Sequence, residues 1–176
     1  MINKKNAAIL VVVLVFLAVA AMIILFKGQA AAQAQQAEVR PNPVVVGQPM
    51  PDFTLPVYQG GLLSLSSLRG KNVLILFPRG YAAENYWCTI CNYRYVELAE
   101  LEKAKKILVD GERTLSKSLG LFQTEWNGSK VDQNIPSVYI IDANGVLQFK
   151  YLGQNTVDRP GYDYLFKVLE VINAAR

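Results

Sequence analysis

The longest apolar pattern in the chain lies at its N-terminal end. Residues 7–26 are twenty consecutive positions without a charged or strongly polar side chain, which is enough for one helix to cross the hydrocarbon core of a bilayer. Lys4 and Lys5 precede this segment and, under the positive-inside rule, favour a cytoplasmic N-terminus. The pattern predicts a short cytoplasmic segment (1–6), a single-pass inner or plasma membrane helix (7–26), and an extracytoplasmic, for example periplasmic, domain.

A cleavable signal peptide is the alternative interpretation of this segment, because residues 29–34 offer small side chains at which cleavage could occur. The apolar region of a signal peptide is usually about 7 to 15 residues long, so the greater length here favours a retained anchor. Residues 27–43 are rich in Ala and Gln and contain Pro41 and Pro43, which is typical of a linker. The remaining residues, 44–176, have the length of one compact domain.

Strand and helix patterns alternate within this domain. Residues 73–77 form an apolar run that ends at Pro78, as expected for a buried strand. The dipeptide Asn144-Gly145 lies between two alternating segments and predicts a β-hairpin. Further strands are predicted at residues 62–65, 106–110, 137–142 and 146–152. A loop is predicted at 79–86, a loop or hairpin at 121–133, and helices at 94–106, 112–119 and 162–175.

The only two cysteines of the chain lie between the buried strand and the first of these helices. Cys88 and Cys91 have a C-x-x-C spacing, which places both on one face of a helix and lets a disulfide close with little backbone movement. Cys88 would lie at the helix N-terminus, where the helix dipole and free N–H groups stabilise a thiolate. This arrangement predicts a redox-active dithiol that needs no other cofactor.

Two other interpretations of the cysteines stay open. A structural disulfide is one, although so short a loop constrains the unfolded chain little. Half of a zinc site is the other, but zinc takes four ligands, and the chain has no histidine and no further cysteine. We therefore expect no metal. The net charge of +4 is spread along the chain and indicates no nucleic-acid surface.

The order of these elements resembles that of the thioredoxin-like superfamily: strand, C-x-x-C, helix, strand, helix, then Ile135-Pro136 before a hairpin and a final helix. Several segments are similar to the redoxin and AhpC/TSA, or peroxiredoxin-like, branch of that superfamily. These segments are Pro49–Leu55, Leu65–Lys71, Arg79-Gly80, Val138–Gly145 and Asp158-Arg159-Pro160. The resemblance covers residues 44–176.

The resemblance implies an α/β fold in which helices flank a central mixed β-sheet. It also implies that Cys88 is the attacking thiol and Cys91 the resolving thiol, and that Pro136 is a cis-proline lying against the disulfide. Next to the cysteines, Trp87 is expected to pack beside the sulfurs and shield them. The cations Arg79 and Arg94 are candidates to stabilise the thiolate.

The chain also departs at specific positions from the family patterns that it resembles. Peroxiredoxins resemble one another in a Pro-x-x-x-Thr/Ser-x-x-Cys motif, whereas here Pro78 lies ten residues before Cys88 and Asn85 lies three before it. The segment between the first helix and Pro136 is also shorter than in most redoxins. Copper-delivering relatives use a histidine ligand that this chain lacks.

The sequence thus supports two hypotheses about function. The first is a membrane-anchored, extracytoplasmic thiol-disulfide oxidoreductase that acts on a protein disulfide or dithiol, with peroxidase activity as a variant. The second is a non-catalytic accessory subunit of a membrane protein complex, since a fold can be kept without its activity.

Overall fold

A computed structural model of the chain describes residue 22, residues 43–100 and residues 106–174. The predicted transmembrane helix and linker lie almost entirely outside these ranges. Residues 101–105 of the helix predicted at 94–106 also lie outside them. Within the described ranges, no helix is both long enough and apolar enough to span a bilayer. Residues 41–176 form one compact unit.

Nine strands and three α-helices are described in this unit, together with one 3₁₀ helix at Leu65–Leu68. The helices are α1 (Thr89–Glu100), α2 (Thr114–Ser118) and α3 (Tyr162–Ala174). The strands are β1 (Thr54–Pro56), β2 (Leu62–Ser64), β3 (Val73–Phe77), β4 (Tyr81–Ala83), β5 (Tyr86–Trp87), β6 (Phe122–Gln123), β7 (Gln133–Asn134), β8 (Ser137–Ile141) and β9 (Leu147–Leu152).

The largest sheet contains three strands in the order β3-β8-β9. Strand β8 pairs with both neighbours, and all five of its residues are buried. The turn at Asn144-Gly145 joins β8 to β9, with Gly145 at φ 80°, a conformation that glycine adopts without strain. The strand at 73–77 and the hairpin over 137–152 are thus confirmed, although all five residues of β3 are half-buried rather than buried.

The prediction of a mixed parallel and antiparallel sheet is corrected by the structure. All strand pairs in the described part of the chain are antiparallel. The predicted strand at 106–110 does not join β3, because its backbone bonds are made to the end of β1. Leu108 forms a single bridge with Val57, and the N–H of Val109 donates to the carbonyl of Pro56 at 2.9 Å. The fold therefore remains α/β, with a smaller and antiparallel sheet.

The three-stranded sheet buries side chains on both faces, because successive residues of β8 point in opposite directions. Tyr139 and Ile141 contribute to a buried cluster with Leu115, in the first turn of α2, and Leu119, which directly follows α2. On the other face, Val138 and Ile140 pack with Tyr162 and Leu165 of α3. The full burial of Leu165 contributes roughly 2 kcal/mol. The predicted C-terminal helix is thus confirmed as an amphipathic element.

The segment predicted as a loop at 79–86 instead forms most of a short hairpin. Strands β4 and β5 pair around a turn in which Asn85 has a left-handed φ of 55°, which asparagine tolerates better than most residues. Cross-strand aromatic packing supports the hairpin, because the rings of Tyr81 and Trp87 meet edge to face at 5.4 Å. The hairpin delivers the chain directly to Cys88.

The prediction of a cis bond before Pro136 is wrong, since no peptide bond in the described residues is cis. The N–H of Ile135 donates to Leu121 at 2.8 Å, and the carbonyl of Pro136 accepts from Gly153 at 2.8 Å. Both flanking backbone groups are therefore satisfied by the ordinary trans geometry, which X-Pro bonds prefer intrinsically. Pro136 itself is fully buried.

Candidate redox site

Cys88 lies at the junction between the β4–β5 hairpin and helix α1. Its N–H donates to the carbonyl of Gly80 at 2.9 Å, which ties it to the start of the hairpin. Its own carbonyl accepts from the N–H of Asn92 at 3.2 Å, the i to i+4 bond with which the helix begins. The predicted position of Cys88 at a helix N-terminus is confirmed, and Cys91 follows in the first turn.

Both cysteines are free thiols and are almost completely shielded from solvent. The exposed fraction is 3% for Cys88 and 2% for Cys91. A thiolate must approach the sulfur that it attacks, so access decides the rate of exchange as much as thiolate character does. Exchange with a protein disulfide therefore requires movement of the structure that covers Cys88.

The backbone of Gly80 lies against both cysteines. Its carbonyl accepts a hydrogen bond from the N–H of Cys88 at 2.9 Å, and its N–H is close enough to the Cys91 sulfur to lower the pKa of that thiol. Gly80 has a φ of 89°, a region that side-chain-bearing residues rarely adopt. A glycine at this position can therefore direct its N–H and its carbonyl, which belong to two successive peptide units, towards the two ends of the dithiol.

The surroundings of Cys91 disfavour its thiolate form. Burial raises the pKa of Cys91, and the hydrogen bond between its thiol and the Cys88 sulfur raises it further. The Gly80 N–H and the charge of Arg159 act in the opposite direction but are smaller influences. A raised pKa favours the protonated form of Cys91, which suits a resolving thiol that ionises only after the first attack.

The cation next to the sulfurs is Arg159, which lies in the loop between β9 and α3. Its Nη2 atom is 3.7 Å from the Sγ atoms of both Cys88 and Cys91. Sequence reasoning did not assign this role to Arg159, although Asp158-Arg159-Pro160 belongs to the segments that carry the family resemblance. That motif was the one sequence feature that pointed to Arg159. The contact joins residues 71 positions apart in the sequence, so no local pattern indicates it.

The two arginines proposed from the sequence have other partners. Arg79 is 7% exposed, and its Nε donates to the side chain of Gln133 at 2.7 Å. Arg94 pairs with Glu97 at 3.0 Å, donates to the carbonyl of Pro160 at 2.6 Å and stacks on a tyrosine ring. These contacts brace the hairpin before Cys88 and the end of the β9–α3 loop. A direct effect of either arginine on a thiolate stays a prediction.

Two aromatic residues flank the dithiol along the chain. Trp87 is 39% exposed and packs against Tyr81, so its role in shielding the sulfurs stays a prediction. Tyr95 lies one turn after Cys91 on α1. Partial burial, followed by the nearby Cys91 sulfur, raises the pKa of Tyr95 to about 12. Its hydroxyl therefore stays protonated at physiological pH.

The described residues contain no group of three His, Cys, Asp or Glu side chains that could hold a metal ion. The chemistry available at the site is that of two sulfurs, one guanidinium and backbone amides. Two adjacent thiols can give up two electrons and two protons to form a disulfide. The arrangement is therefore suited to thiol-disulfide exchange or to reduction of a small oxidant.

Comparison with known proteins bears on the fold. No protein-family model matches the chain. The thioredoxin-like protein YneN of Bacillus subtilis (strain 168) is 27% identical over 133 residues, which cover 62% of this chain and 73% of that protein.

Two solved structures share the fold. The thiol peroxidase from Chromobacterium violaceum superposes with a TM-score of 0.54 at 18% identity and covers 73% of this chain and 88% of its own. A reduced 2-Cys peroxiredoxin from Plasmodium vivax gives a TM-score of 0.55 at 17% identity, over 75% and 83%. The chain therefore has the α/β fold of thioredoxin-like and peroxiredoxin-like proteins, as the sequence resemblance implied.

Proposed function

We propose that this protein is a thiol-disulfide oxidoreductase that uses Cys88 and Cys91 as its dithiol. The Cys88 thiolate attacks one sulfur of a partner disulfide, forms a mixed disulfide and releases the partner's first thiolate, which takes up a proton. Cys91 then loses its proton and attacks the Cys88 sulfur. The partner leaves as a dithiol with two electrons gained, and Cys88–Cys91 remains as a disulfide. The reverse sequence oxidises a partner dithiol.

The observation that carries this proposal is the shared contact of Arg159 with both sulfurs. A cation within reach of a thiol favours its thiolate form, which is the nucleophile in exchange. Because one nitrogen is equally close to Cys88 and Cys91, the same positive charge can stabilise either sulfur as the negative charge moves between them. A disulfide with a purely structural role has no use for such a cation.

Reduction of a protein disulfide is favoured over peroxide reduction as the main activity. The position three residues before Cys88, at which peroxiredoxins resemble one another in a Thr or Ser, is Asn85 in the hairpin turn. The hydroxyl of Thr89, the residue that follows Cys88, forms a hydrogen bond with the hydroxyl of Tyr86 at 2.9 Å. The peroxiredoxin-like neighbours share the fold with this chain, and peroxidase activity is the variant to be measured beside exchange.

The proposed location is extracytoplasmic, with residues 7–26 as the membrane anchor. The support is the apolar length of this segment and the two lysines before it. An oxidising compartment is also where a dithiol would meet partner disulfides. The test is protease protection of sealed spheroplasts with an antibody against the domain: digestion from outside agrees with the proposal, and protection contradicts it.

The experiment that tests the activity compares the full-length protein with Cys91→Ser and Cys88→Ser variants, using insulin as the model disulfide. The wild type should reduce insulin in the presence of a dithiol donor. Cys91→Ser should accumulate a mixed disulfide through Cys88, because its resolving thiol is absent. Cys88→Ser should do neither. A wild type that turns over hydrogen peroxide but not insulin would assign peroxidase activity instead.

The burial of the thiols favours a second candidate, an accessory subunit of a membrane complex that retains the fold without redox chemistry. With Cys88 only 3% exposed, a partner disulfide has no direct route to it. In this case neither insulin nor peroxide would be turned over. Serine at both cysteine positions would then leave the cellular phenotype unchanged, while deletion of residues 7–26 would abolish it.

A further inference from the structure

We propose that Tyr151 and Asp158 are positioning residues that hold Arg159 against the dithiol. This inference rests on the proposed use of Cys88 and Cys91 as a redox pair. It assigns a role to the loop between β9 and α3. Neither the C-x-x-C motif nor the strand and helix that flank that motif would indicate this role.

The carboxylate of Asp158 is bound on both oxygens. The hydroxyl of Tyr151, on strand β9, donates to Oδ1, and the N–H of Gln154 donates to Oδ2 at 2.8 Å. We call Tyr151, Gln154 and Asp158 the carboxylate clamp. The Tyr151 hydrogen bond lowers the pKa of Asp158, so the carboxylate stays charged and the clamp stays closed at physiological pH.

The backbone of the loop is also closed on itself between the clamp and Arg159. The N–H of Asp158 donates to the carbonyl of Asn155 at 3.2 Å, and the N–H of Val157 donates to the Asn155 side chain at 3.0 Å. Each bond spans two or three residues, as in tight turns. Fixing Asp158 therefore also fixes the direction in which the next residue leaves the loop.

The two terminal nitrogens of the Arg159 guanidinium have different partners, one in the loop and one at the sulfurs. Nη1 donates to the carbonyl of Thr156 at 2.9 Å, and Nη2 reaches both sulfurs at 3.7 Å. A planar guanidinium held at one end has little freedom at the other. The loop thus aims the free end of Arg159, and Tyr151 and Asp158 determine where the loop lies.

The loop is anchored to the rest of the domain at its first residue. Gly153 is buried, and its N–H donates to the carbonyl of Pro136 at 2.8 Å. A Cβ atom at Gly153 would lie 2.8 Å from the carbonyl oxygen of Asp158 and 3.1 Å from that of Pro136. The close approach of three backbone segments therefore requires glycine here. Through this contact the clamp is continuous with the strand that follows Pro136.

The test is Tyr151→Phe in the reduced full-length protein, with the rate of alkylation by iodoacetamide measured across pH. This variant removes one hydroxyl and no net charge, so any effect on the thiols must come from the position of Arg159. We expect alkylation near neutral pH to slow by about three- to tenfold, since displacing a neighbouring cation shifts thiol ionisation by up to about one pH unit. Tyr164→Phe, a mostly exposed position on α3, is the matched control and should react like the wild type.

Asp158→Asn separates positioning from simple electrostatics by the sign of its effect. Removing a negative charge near Arg159 should, by charge alone, favour the thiolate and speed alkylation. If Asp158 acts through the clamp, the amide cannot accept both hydrogen bonds, and alkylation should slow as in Tyr151→Phe. Arg159→Met should slow it at least as much, and adding Tyr151→Phe to Arg159→Met should change the rate no further.

The proposal is overturned if Tyr151→Phe alkylates like the wild type, if Asp158→Asn is faster, or if the effects of Tyr151→Phe and Arg159→Met add. These readouts need no partner or substrate. A failure of the clamp is therefore distinguishable from a failure of the proposed activity, which would show as absent insulin reduction by the wild type.

Discussion

The guanidinium of Arg159 lies 3.7 Å from the sulfur of Cys88 although 71 residues separate them in the chain. The contact joins the C-x-x-C segment at the start of α1 to the loop before α3. It places a fixed positive charge beside a buried dithiol, where charges interact more strongly than in water. The predictions below follow from this contact and from the backbone that supports it.

Replacing Arg159 by Met should destabilise the reduced form of the dithiol relative to the disulfide. Loss of the cation removes stabilisation from the thiolate, and a less stable thiolate makes the disulfide harder to reduce. We expect the reduction potential to fall, measured by thiol trapping in a glutathione series. Arg159→Lys should recover part of the difference, whereas Arg113→Met, at an arginine that pairs with Asp132, should leave the potential unchanged. An unchanged potential in Arg159→Met would contradict the assigned role.

Gly80→Ala should destabilise the protein by about 1 kcal/mol or more through backbone strain alone. An added Cβ at Gly80 meets no atom within 4 Å, but its φ of 89° is unfavourable for alanine. Gly111→Ala is the matched control, because its Cβ is equally uncrowded and its φ is not in the positive range. Urea unfolding of the reduced proteins measures both. Equal midpoints for Gly80→Ala and the wild type would show that the left-handed conformation is not required.

Gly153→Ala should act by crowding rather than by strain. Its Cβ would meet the Asp158 carbonyl oxygen at 2.8 Å, and relieving such a clash typically costs about 1–3 kcal/mol. Because the clash pushes on the clamp, alkylation of the dithiol should slow together with the loss of stability. Gly161→Ala, with open space around its Cβ, serves as the control. A destabilised variant with unchanged thiol reactivity would separate the fold of this loop from the site.

The stability of the reduced protein should fall at alkaline pH in two stages. The folded state raises the pKa of Cys91 above 9.0, so it binds this proton more tightly than the unfolded chain does. The resulting stabilisation is complete below the unfolded value and is lost as pH rises through the folded one. Tyr95 adds a second loss between its ordinary pKa of 10.0 and about 12.

Thermal unfolding between neutral and strongly alkaline pH checks this prediction. Cys91→Ser should remove the first stage. Tyr95→Phe should reduce the second, to which Tyr151 and Tyr162 also contribute because the fold raises their pKa values too. The oxidised protein, in which the sulfurs no longer titrate, should lack the first stage even without substitution. A reduced wild type whose midpoint is flat across the first window would show that Cys91 ionises as easily when folded as when unfolded.

Arg79→Met should lower stability while leaving thiol ionisation nearly unchanged. Its buried bond to Gln133 joins the hairpin before Cys88 to strand β7, and hydrogen bonds to charged groups are worth about 1.5–3 kcal/mol. Urea unfolding and the pH profile of alkylation measure the two effects separately. A large shift of the pH profile with little change in stability would instead assign Arg79 to the thiolate, as the sequence predicted.

The parts of the fold that the sequence predicted are those determined by local patterns. The apolar run at 73–77, the hairpin around Asn144-Gly145 and the helix from Tyr162 each carry their own periodicity or turn residues, and each is present. The position of the C-x-x-C segment was also predictable from local sequence. A strand pattern precedes it and helix-forming residues follow it, so it must lie where a strand leads into a helix.

The parts that the sequence did not predict depend on contacts between distant segments. Residues 106–110 have a strand-like composition, but their backbone partners lie near Val57 and Pro56, and this choice of partner has no local signature. Arg159 is one arginine among several until the β9–α3 loop folds back onto α1. The cis bond at Pro136 was inferred from the resemblance alone, and the local hydrogen bonds are satisfied without it.

The central claim is that Cys88 and Cys91 form a redox-active pair, and its most direct test is the reduction potential of the full-length protein. Thiol trapping across a dithiol/disulfide buffer series should reveal a reversible two-electron couple within the range of thiol oxidoreductases, about −270 to −120 mV. Cysteines that show no reversible couple, or a disulfide that resists reduction across this range, would contradict the account and favour an accessory subunit that retains the fold.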